Sequence, residues 1–533
     1  MNEQQRPKLS IDQSGHPSAG LIEGQTLEGE YTLKADVCVI GSGAGGAVAA
    51  ARFARAGLKV LILEEGGYFT QRRFRMQERD AYPQLYQEGA QRATRDLAVT
   101  ILQGRAVGGT TVVNWTTCFR TPERIIEHWH RAHAVEGISH QALQKPWAEV
   151  EARLNIDTVA EPLVNRNNRI LEAGCRALGF PVEALRRNVR GCASTGYCGV
   201  GCPIDAKQSM ALSYIPDAIN ASATLISRAR VQRLDWKSGR VNHAAVHLLD
   251  ATGRFKTGAR LKVEATRFIL SGGAINSPAL LLRSGAPDPH DRLGRQTTLH
   301  PGTGALGLHK EPVHPYHGAP QSRASHAFHE RDDRVGFLIE AAPLHPVLAA
   351  TSIAAFGGDH QAHMEQLSHL SVSAAFLGDG LHEGTKGGRV TVDSDGHPVV
   401  DYPLTETHWE AYRAALKALA RIQLAAGAER VFSPHDPLIE LRSEADLHRI
   451  DEAPMSPGSM VAISFHQMGG CAMGDDPRRA VVRSEDLRHH QLENLHIIDG
   501  SVFPTSVTVN PSLSIYGVSQ LISDRLAARW STA

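Results

Sequence analysis

The sequence predicts an α/β fold. It is read as a Rossmann-like domain with a parallel sheet and covering helices, joined to a second domain built on an antiparallel sheet. Two observations predict the first part. Residues 34–47, Lys-Ala-Asp-Val-Cys-Val-Ile-Gly-Ser-Gly-Ala-Gly-Gly-Ala, read as a buried strand, a glycine turn and the start of a helix. The run Thr266–Ser271 passes through glycines into a helix over Ser277–Arg283 and repeats that logic. The second part rests on Gly388–Tyr402, which alternates apolar and polar residues around an Asp395-Gly396 turn, the pattern of a β-hairpin.

Taken in order, residues 1–33 are polar, carry charges of both signs and read as a loose leader. Gly41, Gly43 and Gly46 then occupy the three glycine positions of a dinucleotide fingerprint. The first allows the tight turn, the second lets backbone approach a pyrophosphate, and the third lets the helix pack on the sheet. The helix N-terminus that follows offers free N–H groups and a positive dipole end to phosphates. An Ala-rich helix, Ala47–Ala56, stops at Gly57, a residue suited to a helix C-terminus. The strand Lys59–Glu64 ends on an acid placed to accept hydrogen bonds from a ribose diol. A second glycine-rich element spans Gly104–Asn114. In it Gly108 and Gly109 allow close backbone approach, and Thr110 and Thr111 offer hydroxyls.

Residues 125–190 have helical spacing, and short strands are expected at 223–228, 241–249 and 266–271. A long helix is expected from about Glu406 to Ala426, and glycine-rich loops with a final helix fill 460–533. The expected division is a discontinuous dinucleotide-binding domain, 34–300 with 456–533, and a substrate domain, 301–455.

With 533 residues the chain exceeds one hydrophobic core. Its 56 basic and 56 acidic side chains balance, and without a long basic run a nucleic-acid partner is not expected. No 18-residue apolar run suggests a transmembrane helix, and no apolar segment in the leader suggests export. The expected location is the cytoplasm, with peripheral membrane association through a partner as the variant. Seven cysteines in a chain of this length do not make a disulfide framework.

Together these segments resemble the glucose–methanol–choline (GMC) family of flavin oxidoreductases, from about residue 34 to the end. Gly41-Ser-Gly-Ala-Gly-Gly46 with Glu64 resembles the family's FAD-binding start, and Gly104–Thr111 with Asn114 its second FAD loop. Val231 resembles a backbone contact to the adenine. Gly273–Gly285 resembles a signature pattern, departing at its edge, where Ala286 and Pro287 replace the usual aliphatic residue and glycine. Asn494–Pro504, with Asp499 and Gly500, resembles the last FAD-contacting strand. Phe465–Gly474 resembles the segment carrying the active-site histidine, His466, and Thr508–Leu513 the segment giving the second active-site residue, here Asn510. The resemblance implies FAD and a substrate sheet over the flavin.

Oxidising an alcohol requires its hydroxyl proton to leave as hydride departs. Histidine suits that task because its ordinary pKa lies near working pH. His466 is therefore expected to act as the base, and the Asn510 amide to donate a hydrogen bond to the same oxygen. The segment Gly336–Pro346 and the cysteine loop look closest to the long-chain alcohol oxidase and bacterial dehydrogenase branch, which implies an apolar primary or sterol-like alcohol. Oxygen, a quinone or a cytochrome partner would each serve as electron acceptor. The fingerprint alone also admits a nicotinamide-dependent dehydrogenase, and the family includes non-redox lyases and a photodecarboxylase.

Cys192, Cys198 and Cys202 share a Gly-rich loop with spacing C-x5-C-x3-C. An iron–sulfur cluster, a zinc site and a structural loop are all open readings of it. The loop resembles one in bacterial members of the family in which a three-iron cluster passes electrons to a cytochrome. Cys118 and Cys471 are expected to be small packing residues. Asn114-Trp-Thr116 matches a glycosylation sequon, but falls in the second glycine-rich loop and is read as fortuitous.

Overall fold

The computed structural model describes residues 9–531. Its first sheet has eight strands, in the order Gly20–Glu23, Thr224–Ser227, Val60–Leu63, Glu30–Ile40, Lys256–Leu270, Arg240–Leu249 and Ala229–Lys237, with Leu495–Ile497 also paired to Lys256–Leu270. Every pairing from Gly20–Glu23 as far as Lys256–Leu270 is parallel, as is that of Leu495–Ile497. Parallel strands are covered on both faces and so need continuous apolar runs. Val60–Leu63 is buried at all four positions. The last two strands turn antiparallel.

The helix Ala44–Arg55 lies against this sheet, between the helices Tyr214–Asn220 and Ser512–Trp530. Its alanines and glycines give it a thin profile, and nine of its residues are buried. It begins three residues before the expected start.

The second sheet has nine strands and is mainly antiparallel. Its order is Ile439–Leu441, Arg430–Ser433, Gly302–Leu308, Leu370–Leu377, Phe337–Ala341, Arg323–Ser325 and Glu183–Ala184, with Ile463–Ser464 and Thr100–Ile101 beside it. The helix Glu406–Ala425 packs on it and ends one residue before the expected boundary. Its start is fixed by a capping box in which Thr405 and His408 each accept from the other's backbone N–H. The hairpin forms from Gly388–Val392 and Pro398–Asp401, joined by Asp393–His397, and Arg295–Thr297 adds a third strand.

Two features depart from the sequence reading. The leader is not loose throughout: Gly20–Glu23 adds an edge strand to the first sheet, and the long strand starts at Glu30 rather than Lys34. Unpaired edge N–H and C=O groups favour such recruitment. The antiparallel sheet likewise draws Glu183–Ala184, Thr100–Ile101 and Ile463–Ser464 from outside 301–455. No helix among the described residues is long and apolar enough to cross a membrane.

Candidate functional site

A continuous void of about 1700 Å³, part of it open to solvent, runs from the fingerprint turn to the antiparallel sheet. Gly41, Gly43, Glu64, Gly109, Thr110, Asn114, Val231, Asp499, Gly500, His466 and Asn510 all line it. Gly46 and Gly108 stand behind the wall.

The glycine positions follow from close backbone approach. Gly41 has φ +101°, and a Cβ there would lie 2.2 Å from the Ser271 carbonyl oxygen. A Cβ on Gly46 would lie 2.0 Å from the Gly41 oxygen, so this glycine sets how closely the helix meets the turn. The two glycine loops touch: a Cβ on Gly109, at φ +57°, would fall 2.7 Å from the Gly43 Cα. Gly45 was not singled out by the fingerprint. A Cβ there would lie 1.8 Å from the Ile498 oxygen, so the C-terminal segment rests directly on this helix.

Glu64 sits on the cavity wall with both carboxylate oxygens engaged. One accepts from Ser42 N–H at 2.9 Å and Ser42 Oγ–H at 2.6 Å, the other from Gly66 N–H at 2.7 Å. Burial raises its pKa against these bonds. Next to it, burial would raise Glu65 too, but Arg105 and Arg230 overcome this and hold it at about 2. Asp499 ties the C-terminal segment to the second strand–helix unit. Its oxygens accept from Gly273 N–H at 2.8 Å, Ser277 Oγ–H at 2.6 Å and Ser501 N–H at 2.8 Å. Val231 lies on an edge strand, its carbonyl accepting from Arg283 at 3.2 Å. The Asn114 side-chain oxygen is buried and has no partner among the described residues.

At the other end of the void, His466 is half-buried beside Phe465 and Phe376. Its Nδ1 lies 2.9 Å from Nδ1 of the fully buried His300. Burial lowers His466 to about 3 and His300 well below its ordinary value, so both rings are neutral at neutral pH. His300 has φ +45°, a left-handed conformation that costs energy in a non-glycine residue. The buried Asp379 holds it there, accepting from Leu299 N–H at 2.9 Å, His300 N–H at 3.0 Å and Tyr402 O–H at 2.6 Å.

Asn510 donates to Glu340 Oε2 at 3.3 Å, and the same oxygen accepts from Gln321 at 2.7 Å. Thr117 in turn donates to Gln321 at 2.7 Å. Burial pushes Glu340 up to about 8, while Glu340 Oε1 and Asn510 Oδ1 have no partner among the described residues. His300, Glu340 and Gln321 were not picked out in the sequence. They are single polar residues in separate segments, and only the folded chain aligns them.

The cysteine loop is not a gathered ligand set. Three ligand atoms within 4.8 Å of one another occur among the described residues only at the exposed Asp393, Asp395 and His397. Cys198 is buried and its sulfur accepts from Arg187 at 3.3 Å, while Cys192 and Cys202 are half-buried. The loop's visible work is mechanical. The buried Lys207 donates to the carbonyls of Cys198 at 2.7 Å, Val112 at 2.6 Å and Asn114 at 2.8 Å. Arg187 also donates to Thr116 Oγ1 at 2.8 Å. The cysteine loop is thus bolted to residues 112–116, where the second glycine loop ends. Cys118 and Cys471 are buried and free, with burial pushing the Cys118 thiol up to about 12.

Models of the GMC oxidoreductase family match residues 82–302 and 384–519, and that of an NAD(P)-binding Rossmann-like domain matches 39–80. An uncharacterised GMC-type oxidoreductase of Mycobacterium tuberculosis (strain ATCC 25618 / H37Rv) is 32% identical, across 97% of this chain and 79% of that protein. A long-chain-alcohol oxidase of Arabidopsis thaliana is 29% identical, across 93% of this chain and 68% of that protein. The crystal structure of pyridoxine 4-oxidase from Mesorbium loti shares the fold, with a TM-score of 0.67, 19% identity and coverage of 92% and 98%. Two glycine loops meeting over one cavity, a Rossmann-like sheet and family matches over most of its length agree: the chain belongs to the GMC oxidoreductase family.

Proposed function

We propose that the chain is an FAD-dependent oxidase or dehydrogenase of an apolar primary alcohol. The observation that carries this is one continuous cavity with the touching Gly43 and Gly109 loops at one end and His466 with Asn510 on its wall. The residues fit the cofactor: Gly41, Gly43 and Gly109 leave a cradle that side chains would fill, and the Asn114 oxygen is a buried acceptor in want of a donor. Glu64 and Val231 stand where the adenosine half would lie, and Asp499 positions Gly273 and Gly500. When bound, FAD supplies the hydride acceptor.

The alcohol enters against Phe376, Phe465 and Trp115, which line the cavity and favour an apolar chain. The printed name of the Arabidopsis relative points the same way. His466, neutral at working pH, takes the hydroxyl proton. With Nδ1 turned to His300, Nε2 is the nitrogen left for that proton. Asn510 has a second amide hydrogen beyond the one given to Glu340, and it steadies the oxygen as negative charge develops.

The test is an anaerobic visible spectrum before and after adding alcohols of increasing chain length, with an iron assay on the same sample. Flavin bands that bleach with long-chain alcohols support the proposal. Bound flavin that no alcohol reduces overturns it in favour of a non-redox flavoprotein. Iron near three per chain would reinstate the cysteines as a cluster site and point to a protein electron acceptor.

A further inference from the structure

A second cavity, about 1750 Å³ including its open mouth, lies outside the site above. It is framed by the helix Glu123–His133 and by loops around 292–296, 380–389 and 473–479. Five cationic side chains line it: Arg292, Arg295, Lys386, Arg389 and Arg479. The acids that face them are too few. Asp291 is shared by Arg295 and Arg389, Glu383 takes Lys386, and the lining carboxylate Asp401 pairs with none of the five.

The half-buried Arg292 forms neither an ion pair nor a side-chain hydrogen bond among the described residues, while Arg479 forms no ion pair but donates to the Ala132 carbonyl at 2.6 Å and has Asp476 in its field. The Nε–H groups of Arg292 and Arg389 are buried without an acceptor. A buried guanidinium N–H left without an acceptor is costly, and an anion within reach relieves it. One histidine on the same wall senses Arg479: His133 is pushed down to about 4, by burial first and then by His128 and Arg479.

We propose that this cavity binds a small polyanion carrying at least two phosphate or carboxylate groups. The spread of five cations over several loops suits separated anionic groups, and arginine's fork grips phosphate or carboxylate oxygens in pairs. The cavity is coupled by backbone to the segment that bears His466. Its wall residue Gln296 lies two positions before Thr298, which exchanges hydrogen bonds with Met468 in both directions at 2.8 Å.

Calorimetric titration of the FAD-loaded protein with inorganic pyrophosphate, and separately with orthophosphate, tests the proposal. Saturable pyrophosphate binding is expected, weakened at least tenfold in Arg292→Glu and in Arg479→Glu, with orthophosphate binding at least tenfold more weakly than pyrophosphate. Both substitutions fall on half-buried or exposed side chains, and unchanged flavin content and alcohol-driven flavin reduction verify that the variants are intact. Absence of saturable binding up to millimolar pyrophosphate, or equal affinity in both variants, overturns the site. Equal affinity for orthophosphate overturns its preference for a polyanion.

Discussion

The rings of His300 and His466 stack with centroids 5.1 Å apart and bring their Nδ1 atoms to 2.9 Å. One Nδ1 must donate and the other accept, so the tautomers of the two rings are linked. If His466 is to receive a proton on Nε2, its Nδ1 holds the shared hydrogen and His300 accepts it. His300 thereby fixes both the orientation and the tautomer of the ring that faces the cavity.

Replacing His466 by Ala should lower alcohol-driven flavin reduction by about 10²-fold or more while FAD stays bound, because general-base catalysis contributes on that scale. Stopped-flow absorbance measures both. A variant that reduces its flavin at the normal rate would end the assignment.

His300→Ala should reduce the rate by about 10-fold to 100-fold through loss of ring positioning. Unchanged flavin content separates this from general damage. Burial alone holds His466 at about 3, so the rate should stay level from pH 8 down to 5 in both proteins, with the variant lower throughout. A variant as fast as the native chain would leave His300 with no positioning role.

Glu340→Gln tests the buried carboxyl under Asn510. Burial raises Glu340 from 4.5 to about 8, so the native state keeps a proton that the unfolded chain releases across this window. Stability therefore falls as pH rises from about 4.5 to 8, by an amount of order a few kcal/mol. The variant cannot ionise and should lose that slope, gaining on the native chain at pH 9. Thermal unfolding at pH 5 and pH 9 reads it. Parallel losses in both proteins would show that Glu340 is charged in the native state.

Gly45→Ala forces a Cβ to within 1.8 Å of the Ile498 oxygen. The helix and the C-terminal segment must separate, at a cost of about 1–3 kcal/mol or more. Purified variant should carry less FAD and melt earlier than the native chain. Unchanged flavin content and melting temperature would contradict the contact.

Lys207→Met leaves the carbonyls of Val112, Asn114 and Cys198 without their shared donor, at about 1–3 kcal/mol for each buried group left unpaired. Flavin occupancy, read as the ratio of visible to ultraviolet absorbance, should fall with stability. Cys192→Ser should leave it unchanged, since the Cys192 sulfur accepts only a 3.4 Å bond from the nearby Ser194.

The fingerprint glycines, the Asp395-Gly396 hairpin and the helix ending near Ala425 were legible because each is set by residues adjacent in sequence. His466 and Asn510 stand out in the sequence only through their surrounding motifs. His300 was hidden among 27 histidines, since its role depends on a positive φ held by a carboxylate 79 residues away. Glu340 stands in a strand buried at all five positions, where pattern alone predicts an apolar residue. The strand Gly20–Glu23 was missed because its partner, Thr224–Ser227, lies some two hundred residues downstream. Glu64 ends the strand as an acid suited to a ribose diol, and nothing in Lys59–Glu64 tells that Ser42 and Gly66 already donate to its oxygens.

The strand Leu495–Ile497 enters the first sheet beside Lys256–Leu270, and the residue after it, Ile498, rests on Gly45. The cradle therefore has its floor and its wall in segments separated by most of this sequence. A nascent chain carries an open half-site from the emergence of Gly45 until Ile498 follows. Flavin capture waits on that later segment, and chains released before it should accumulate as colourless protein.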